Sequence, residues 1–132
     1  MNSERSDGAV ITELNENTFG AFIRQAECPV LVDFWADWCP PCQQLLPLLE
    51  QAAQALEGQV RVAKVNTQQA PAVGFQYAIR SIPTLMLFDR GQEVARRAGV
   101  MTPQQIQRWI LDALRASEFD RGAEFDRGVG FD

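Results

Sequence analysis

Two cysteines three residues apart are the residues of this sequence best suited to chemistry. They lie in Trp38-Cys39-Pro40-Pro41-Cys42, between an apolar run at 30–35 and a long helical pattern at 40–56. A sulfur at the first turn of a helix faces unpaired backbone N–H groups and the positive end of the helix dipole, which favour the thiolate form. Cys39 is therefore the predicted nucleophile of thiol–disulfide exchange. Cys42 lies on the same helical face and is the predicted resolving thiol.

Zinc binding and an inert structural role are the alternatives for these cysteines. A zinc site needs about four ligands, whereas the chain has three cysteines and no histidine. The sequence therefore favours redox chemistry and predicts no metal site. The third cysteine, Cys28, precedes a predicted buried strand and is expected to be a free structural cysteine. A regulatory or dimer-forming disulfide through Cys28 is the alternative.

The segments around the cysteines alternate between strand-like and helix-like hydrophobic periods. Such alternation is typical of an α/β domain in which helices cover a mixed sheet. The nearly continuous apolar run at 30–35 predicts a central strand buried on both faces, and the charge of Asp33 within it needs an explanation. Strands are predicted at 10–14, 30–35, 60–65, 84–88 and 93–98, and helices at 18–26, 40–56, 70–77 and 103–116.

The length and composition predict one soluble domain. The chain has 132 residues and a net charge of −5, and no apolar run reaches the roughly 18 residues that a membrane-spanning helix needs. An acidic chain also lacks the clustered Lys and Arg with which proteins bind phosphate backbones. We therefore expect neither a nucleic acid nor a membrane as a partner.

Both ends of the chain differ from its middle, so the folded domain is expected at 9–116. Residues 1–8 are polar, are expected to be flexible and do not lead into the apolar stretch of a secretory signal, which favours a cytoplasmic location. Residues 117–132 repeat Glu-Phe-Asp-Arg-Gly with a period of six. This acidic, Phe-containing tail is predicted to be a solvated flexible segment. The alternative is a peptide whose Phe side chains dock into a partner.

Several separated motifs resemble the thioredoxin family. Val30–Cys39 resembles the central strand that leads into the family's active site, Pro47 matches its helix kink, and Arg80–Thr84 matches the segment with a cis-proline opposite the dithiol. Val65–Thr67 and Ile79–Thr84 are most similar to the bacterial thioredoxin-2 type, although the paired cysteines of that type's N-terminal zinc extension are absent. The resemblance implies an α/β thioredoxin fold, with a mixed sheet of four or five strands flanked by four helices.

The resemblance also implies catalytic roles for two residues outside the cysteine motif. Asp33 has no local partner in the sequence, so burial should raise the pKa of its carboxyl, and the family makes it the base for the Cys42 thiol. A carboxylate merely paired with a basic neighbour is the alternative. Lys64 is the one lysine of the chain and matches the lysine that tunes this aspartate in the family. Its survival by chance is the simpler explanation.

A substrate-docking surface is implied around the cysteines. The resemblance predicts a cis peptide bond between Ile82 and Pro83, with the backbone of Ile82 pairing with a substrate peptide. Trp38 would supply an apolar lip beside the nucleophile, and Gly99 would allow close approach of a backbone. Trp35 is expected to support the sheet and not to contact the substrate.

The active-site loop, Pro40-Pro41, departs from the Gly-Pro that thioredoxins most often carry. A second proline removes one backbone N–H near the Cys39 sulfur and stiffens the loop, so we expect an altered reduction potential. Tryparedoxins and nucleoredoxins resemble this chain in carrying the same five-residue motif.

The resemblance thus implies an enzyme, a protein-disulfide reductase that works by dithiol exchange. We expect a monomer that binds no cofactor, acts on protein disulfides and receives electrons from NADPH through a thioredoxin reductase-like flavoprotein. The alternative is a thioredoxin-fold interaction module. Its docking surface and C-terminal tail would bind a partner, with the dithiol regulatory or idle.

Overall fold

The computed structural model describes residues 11–130, with side chains as far as residue 119. The predicted flexible segment at 1–8 and the last two residues of the tail lie outside these residues, as does Val10 of the first predicted strand. The strands are β1 (Ile11–Leu14), β2 (Val30–Trp35), β3 (Arg61–Asn66), β4 (Thr84–Asp89) and β5 (Gln92–Ala98), and the helices are α1 (Phe19–Gln25), α2 (Pro40–Ala55), α3 (Pro71–Gln76) and α4 (Pro103–Gly130).

The five strands form one mixed sheet in the order β1-β3-β2-β4-β5. β3 pairs in parallel with both β1 and β2, whereas β4 pairs antiparallel with β2 and β5. β2 therefore lies at the centre of the sheet, and its residues 30–34 are at most 1% exposed. The predicted α/β architecture, with a mixed sheet and four helices, is confirmed.

Alternation along β2 divides the core between the two faces of the sheet. Leu31 packs with α2 and α4, and Val32 and Phe34 pack with α1 and α3. Because Asp33 has the parity of Leu31, its side chain projects from the face that α2 and α4 cover. The anomalous charge in the apolar run therefore belongs to the face that carries the helix of the dithiol.

Local sequence signals fix two of the connections. Thr102 and Gln105 form the predicted capping box of α4, in which Gln105 N donates to Thr102 Oγ1 at 3.1 Å and Thr102 N donates to Gln105 Oε1 at 2.9 Å. The turn between β4 and β5 has positive φ at both Arg90 (58°) and Gly91 (81°). Such a turn matches the twist of a two-residue hairpin.

The last helix is longer than the sequence pattern predicts. Its end was expected near Ala116, where the apolar periodicity fades, but α4 continues to Gly130. No proline follows Pro103 in the sequence, and a glycine inside a helix costs only about 1 kcal/mol relative to alanine. Loss of an apolar face therefore does not end this helix. Whether the tail binds a partner stays a prediction.

Candidate active site

The two cysteines of the motif form a disulfide at the beginning of α2. Cys39 is the N-cap residue of the helix, and the Cα atoms of Cys39 and Cys42 are 5.2 Å apart. Pro40 and Pro41 occupy the first two helical positions and carry no N–H, so Cys42 supplies the first backbone N–H of the helix. This N–H donates to Cys39 Sγ at 3.2 Å. The helix start thus directs a dipole at the sulfur of the predicted nucleophile.

The loop before β4 lies against the same sulfur. The peptide bond between Ile82 and Pro83 is cis, as the resemblance implies, and the carbonyl oxygen of Ile82 is 3.7 Å from Cys39 Sγ. Gly99 N donates to the carbonyl of Pro83 at 2.9 Å. The φ of Gly99 is +97°, and a Cβ added there would meet no atom within 4 Å. The glycine is therefore required by its backbone conformation, and the space beside it is open.

A groove of about 870 Å³ borders Cys39. It is lined by Trp38 and the two prolines, by residues of α3 that include Phe75, and by the loop at 78–82. Trp38 is 65% exposed and Phe75 is 88% exposed. The sequence predicts Trp38, but not Phe75, as part of the docking surface. A large aromatic residue close to buried Val73 in a short predicted helix is the signal that could have identified it.

Asp33 is a buried carboxyl group with an unsatisfied oxygen. The residue is 1% exposed, and its Oδ1 has no hydrogen-bond partner. Burial raises the pKa of this carboxyl from 3.8 to about 7, and the positive charge of Lys64 lowers it in part. In the part of the chain that the structure describes, Asp33 belongs to no ion pair. The role of Asp33 as a base and the alternative of a carboxylate paired with a basic neighbour, here Lys64, both stay predictions.

Lys64 lies beside Asp33 in the parallel register of β2 and β3. Its Nζ is 3.7 Å from Glu13 Oε1 and 5.1 Å from the centre of the Trp35 indole ring. Glu13, opposite Lys64 in the register of β1 and β3, therefore shares the lysine with Asp33. No sequence motif points to Glu13, which lies within an expected strand. The parallel pairing of β1 with β3 is the information that the sequence lacked.

The remaining candidates lie apart from the dithiol or show no contact with it. Cys28 is a free, half-buried cysteine in the loop before β2. Trp35 supports Lys64, and its buried Nε1 has no hydrogen-bond partner. Among residues 11–119, whose side chains the structure describes, no group of three or more His, Cys, Asp or Glu could hold a metal ion. No helix within the described part of the chain is long and apolar enough to cross a membrane.

A cysteine pair that closes a disulfide at a helix N-terminus, facing a cis-proline loop, defines a site for thiol–disulfide exchange. The thioredoxin family model matches residues 10–112 of the chain. Thioredoxin 1 of Nostoc sp. is 46% identical over 89 residues, which cover 67% of this chain and 83% of that protein. The thioredoxin of Rickettsia felis is 37% identical over 97 residues, which cover 74% and 92% of the two chains.

The chain belongs to the thioredoxin family. Its fold is the thioredoxin fold, and its redox-active pair is Cys39 and Cys42. It is a thiol–disulfide oxidoreductase, an enzyme of the thioredoxin-like disulfide reductase class.

Proposed function

We propose that the chain reduces disulfides of other proteins through a nucleophilic Cys39 and a resolving Cys42. The thiolate of Cys39 attacks one sulfur of the target disulfide, forms a mixed disulfide and releases the other target sulfur as a thiolate. Cys42 then attacks Cys39 Sγ, which closes the Cys39–Cys42 disulfide and releases the second target thiolate. The observation that carries the proposal is the N–H of Cys42, 3.2 Å from Cys39 Sγ. The same donor would stabilise the thiolate.

Asp33 and Lys64 are the proposed proton-handling residues of the second step. Cys42 must lose its proton before it attacks, and a carboxyl whose pKa is about 7 accepts a proton near neutral pH. Asp33 projects from the sheet face that α2 covers, and Cys42 is a buried residue of α2. Lys64 limits the rise in the pKa of Asp33 and so keeps a fraction of the carboxyl ionised.

The docking surface is proposed to comprise Trp38, Ile82, Pro83 and Gly99. Trp38 projects into solvent beside Cys39, and the Ile82 carbonyl is close to the reacting sulfur. A target peptide in an extended conformation could pair with the backbone at Ile82, as peptides do at exposed strand edges. The positive φ of Gly99 keeps the neighbouring surface free of a side chain.

The cellular setting is part of the same proposal. We propose that electrons come from NADPH through a thioredoxin reductase-like flavoprotein, and that the chain, which binds no cofactor of its own, resembles the bacterial thioredoxin-2 type. The chain has one redox pair and, in addition, the free cysteine Cys28, and a free cysteine fits a reducing cytoplasm. The proposed state is a monomer. The Pro40-Pro41 turn is proposed to set the reduction potential, because it leaves Cys42 as the first N–H of the helix.

Reduction of insulin disulfides tests the proposal, with dithiothreitol as donor in one arm and NADPH with a bacterial thioredoxin reductase in the other. We expect turnover in both arms, and we expect Cys39→Ser to lower it by about a thousandfold or more, as loss of a nucleophile does. Cys28→Ser is the matched control and should retain full activity. Binding of partners without turnover by the unaltered chain would instead support the interaction-module alternative. Turnover with dithiothreitol alone would assign a different electron donor.

A further inference from the structure

Phe75 is a large aromatic side chain that contributes little to the folded core. It is 88% exposed, whereas its helix α3 is anchored by buried Val73 and Gly74. Folding therefore gains little hydrophobic free energy from this ring, because that energy scales with the apolar area removed from water. A ligand that covers the ring would gain it instead.

Phe75 lines the groove that Trp38 and Cys39 also line. The other large apolar side chains that are highly exposed among the described residues are Leu111 and Phe119. Both belong to α4, and neither lines this groove. Among the described residues, Trp38 and Phe75 are therefore the highly exposed large apolar side chains that line the groove of Cys39. The surface at Phe75 is continuous with the candidate active site.

The groove carries one charge. Arg80 is the single charged residue among those that line it, and the other lining residues are apolar or uncharged. The chain as a whole has a net charge of −5. A segment with a large apolar side chain and an acidic side chain complements this groove, whereas a basic segment is repelled by Arg80.

Cys39 and Phe75 line the same groove, which has a volume of about 870 Å³. An extended segment that brings its cysteine to Cys39 can therefore also pass Phe75. Each residue of an extended chain spans about 3.3–3.6 Å, so the side chain that reaches Phe75 belongs to a residue close to the target cysteine in sequence.

We propose that Phe75 is a specificity residue that binds a large apolar side chain of the target protein, close in sequence to the cysteine that Cys39 attacks. Arg80 favours an acidic residue in the same segment. This inference rests on the proposed function, since it concerns the choice among disulfide substrates. The occupant of the groove is an extended segment of a substrate protein.

Two short peptides, each a disulfide-linked dimer through one cysteine, provide the test. They are identical except for Phe or Ser two residues before the cysteine. Prereduced full-length protein reacts with each peptide in the absence of any reductase, and quenched samples give the second-order rate constant. We expect the unaltered protein to favour the Phe peptide by about tenfold, the discrimination that one apolar pocket gives.

Phe75→Ala should lower the rate constant for the Phe peptide by about tenfold and leave the Ser peptide and hydroxyethyl disulfide unchanged. Phe75→Leu should restore part of the preference, because leucine offers a similar apolar contact. Phe119→Ala removes another exposed ring, which lies outside the groove, and should change none of these rates. Because Phe75 and Phe119 are both exposed, melting curves should show that all three variants fold.

Three results would overturn the inference while the proposed function stands. Phe75→Ala could react with both peptides as the unaltered protein does, or it could slow both equally. It could also lose activity only when NADPH and thioredoxin reductase supply the electrons, which would make the reductase the occupant. Failure of the unaltered protein to react even with hydroxyethyl disulfide would instead contradict the proposed function itself.

Discussion

The two faces of the sheet are built from the same strands but differ in chemistry. On the face covered by α1 and α3, four aromatic rings pack together with centroid distances of 5.4–6.2 Å; they are Phe19, Phe34, Tyr77 and Phe88. On the face covered by α2 and α4, the paired registers bring together Glu13, Lys64 and Asp33. One face is a close-packed apolar layer, and the other carries a row of charged groups across three strands.

The charged face is the less stabilising of the two because it contains a buried carboxyl group. An unsatisfied buried oxygen such as Asp33 Oδ1 costs free energy, whereas aromatic pairs in edge-to-face contact add to the energy of burial. The site of thiol–disulfide exchange lies at the end of the charged face. The aromatic face therefore offsets the cost of a carboxyl that the proposed reaction uses.

The largest expected effect on stability comes from the aromatic face. Phe88 is 1% exposed and contacts Phe19 and Tyr77 at ring distances of 5.8 and 5.5 Å. Phe88→Ala leaves a cavity and should lower the free energy of unfolding by about 3–5 kcal/mol, as measured by chemical denaturation. The rate of reaction with hydroxyethyl disulfide should stay unchanged at 25 °C, because residue 88 lies about 14 Å along β4 from residue 84. A parallel fall in both quantities would show that the two faces are not separable.

The next effect comes from the charged face and depends on pH. The pKa of the Asp33 carboxyl is about 7 in the folded chain and 3.8 as the ordinary value. At a pH between these two pKa values, the Asp33 carboxyl has lost its proton in the unfolded chain but keeps it in the folded chain. Stability therefore falls as pH rises from about 4 to about 7, and the total loss corresponds to about 4 kcal/mol.

Asp33→Asn removes this titration. We subtract the free energy of unfolding of the unaltered protein from that of the variant at each pH. This difference should be up to about 4 kcal/mol larger at pH 8 than at pH 4. Denaturation of the oxidised proteins at the two pH values measures the difference, and comparison between pH values cancels the cost of burying the amide. The same variant should reduce disulfides more slowly at pH 8. A pH-independent difference in stability would contradict the high pKa of Asp33.

The contrast between the faces was only partly predictable from the sequence. The apolar run of β2 predicted a buried central strand, and Asp33 inside that run predicted a buried carboxyl with a raised pKa, because both depend on local pattern alone. The N-cap position of Cys39 was likewise predictable, since a strand followed by prolines defines a helix start.

The features that were not predictable depend on pairing between distant strands or on solvent exposure. Glu13 acquires its contact with Lys64 only through the register of β1 and β3. Phe75 has an exposed ring, whereas the apolar periodicity of a sequence predicts which side chains are buried. The predicted end of α4 near Ala116 was wrong because it was placed where the apolar periodicity fades. A helix can continue without an apolar face beyond its last contact with the core, and α4 continues to Gly130.

The smallest effect tests whether the charged row acts as one unit. Lys64 and Glu13 are 23% and 49% exposed in their side chains, so their ion pair should contribute only about 0.2–1 kcal/mol to stability. Lys64→Gln removes the positive charge that lowers the pKa of Asp33, and that pKa should rise further. Glu13→Gln removes the carboxylate that shares Lys64, so the pKa of Asp33 should fall.

The carbon chemical shift of the Asp33 carboxyl, followed by NMR across the pH range, measures both shifts directly. Glu16→Gln is a control that removes a carboxylate outside the row, and it should leave the Asp33 titration unchanged. In the unaltered protein, Glu16 Oε2 accepts a hydrogen bond from the N–H of Ala72 at the start of α3. Shifts of opposite sign for Lys64→Gln and Glu13→Gln would show that both charges of the row act on the Asp33 carboxyl. Shifts of the same sign would mean that Glu13 acts on Asp33 through the fold and not through Lys64.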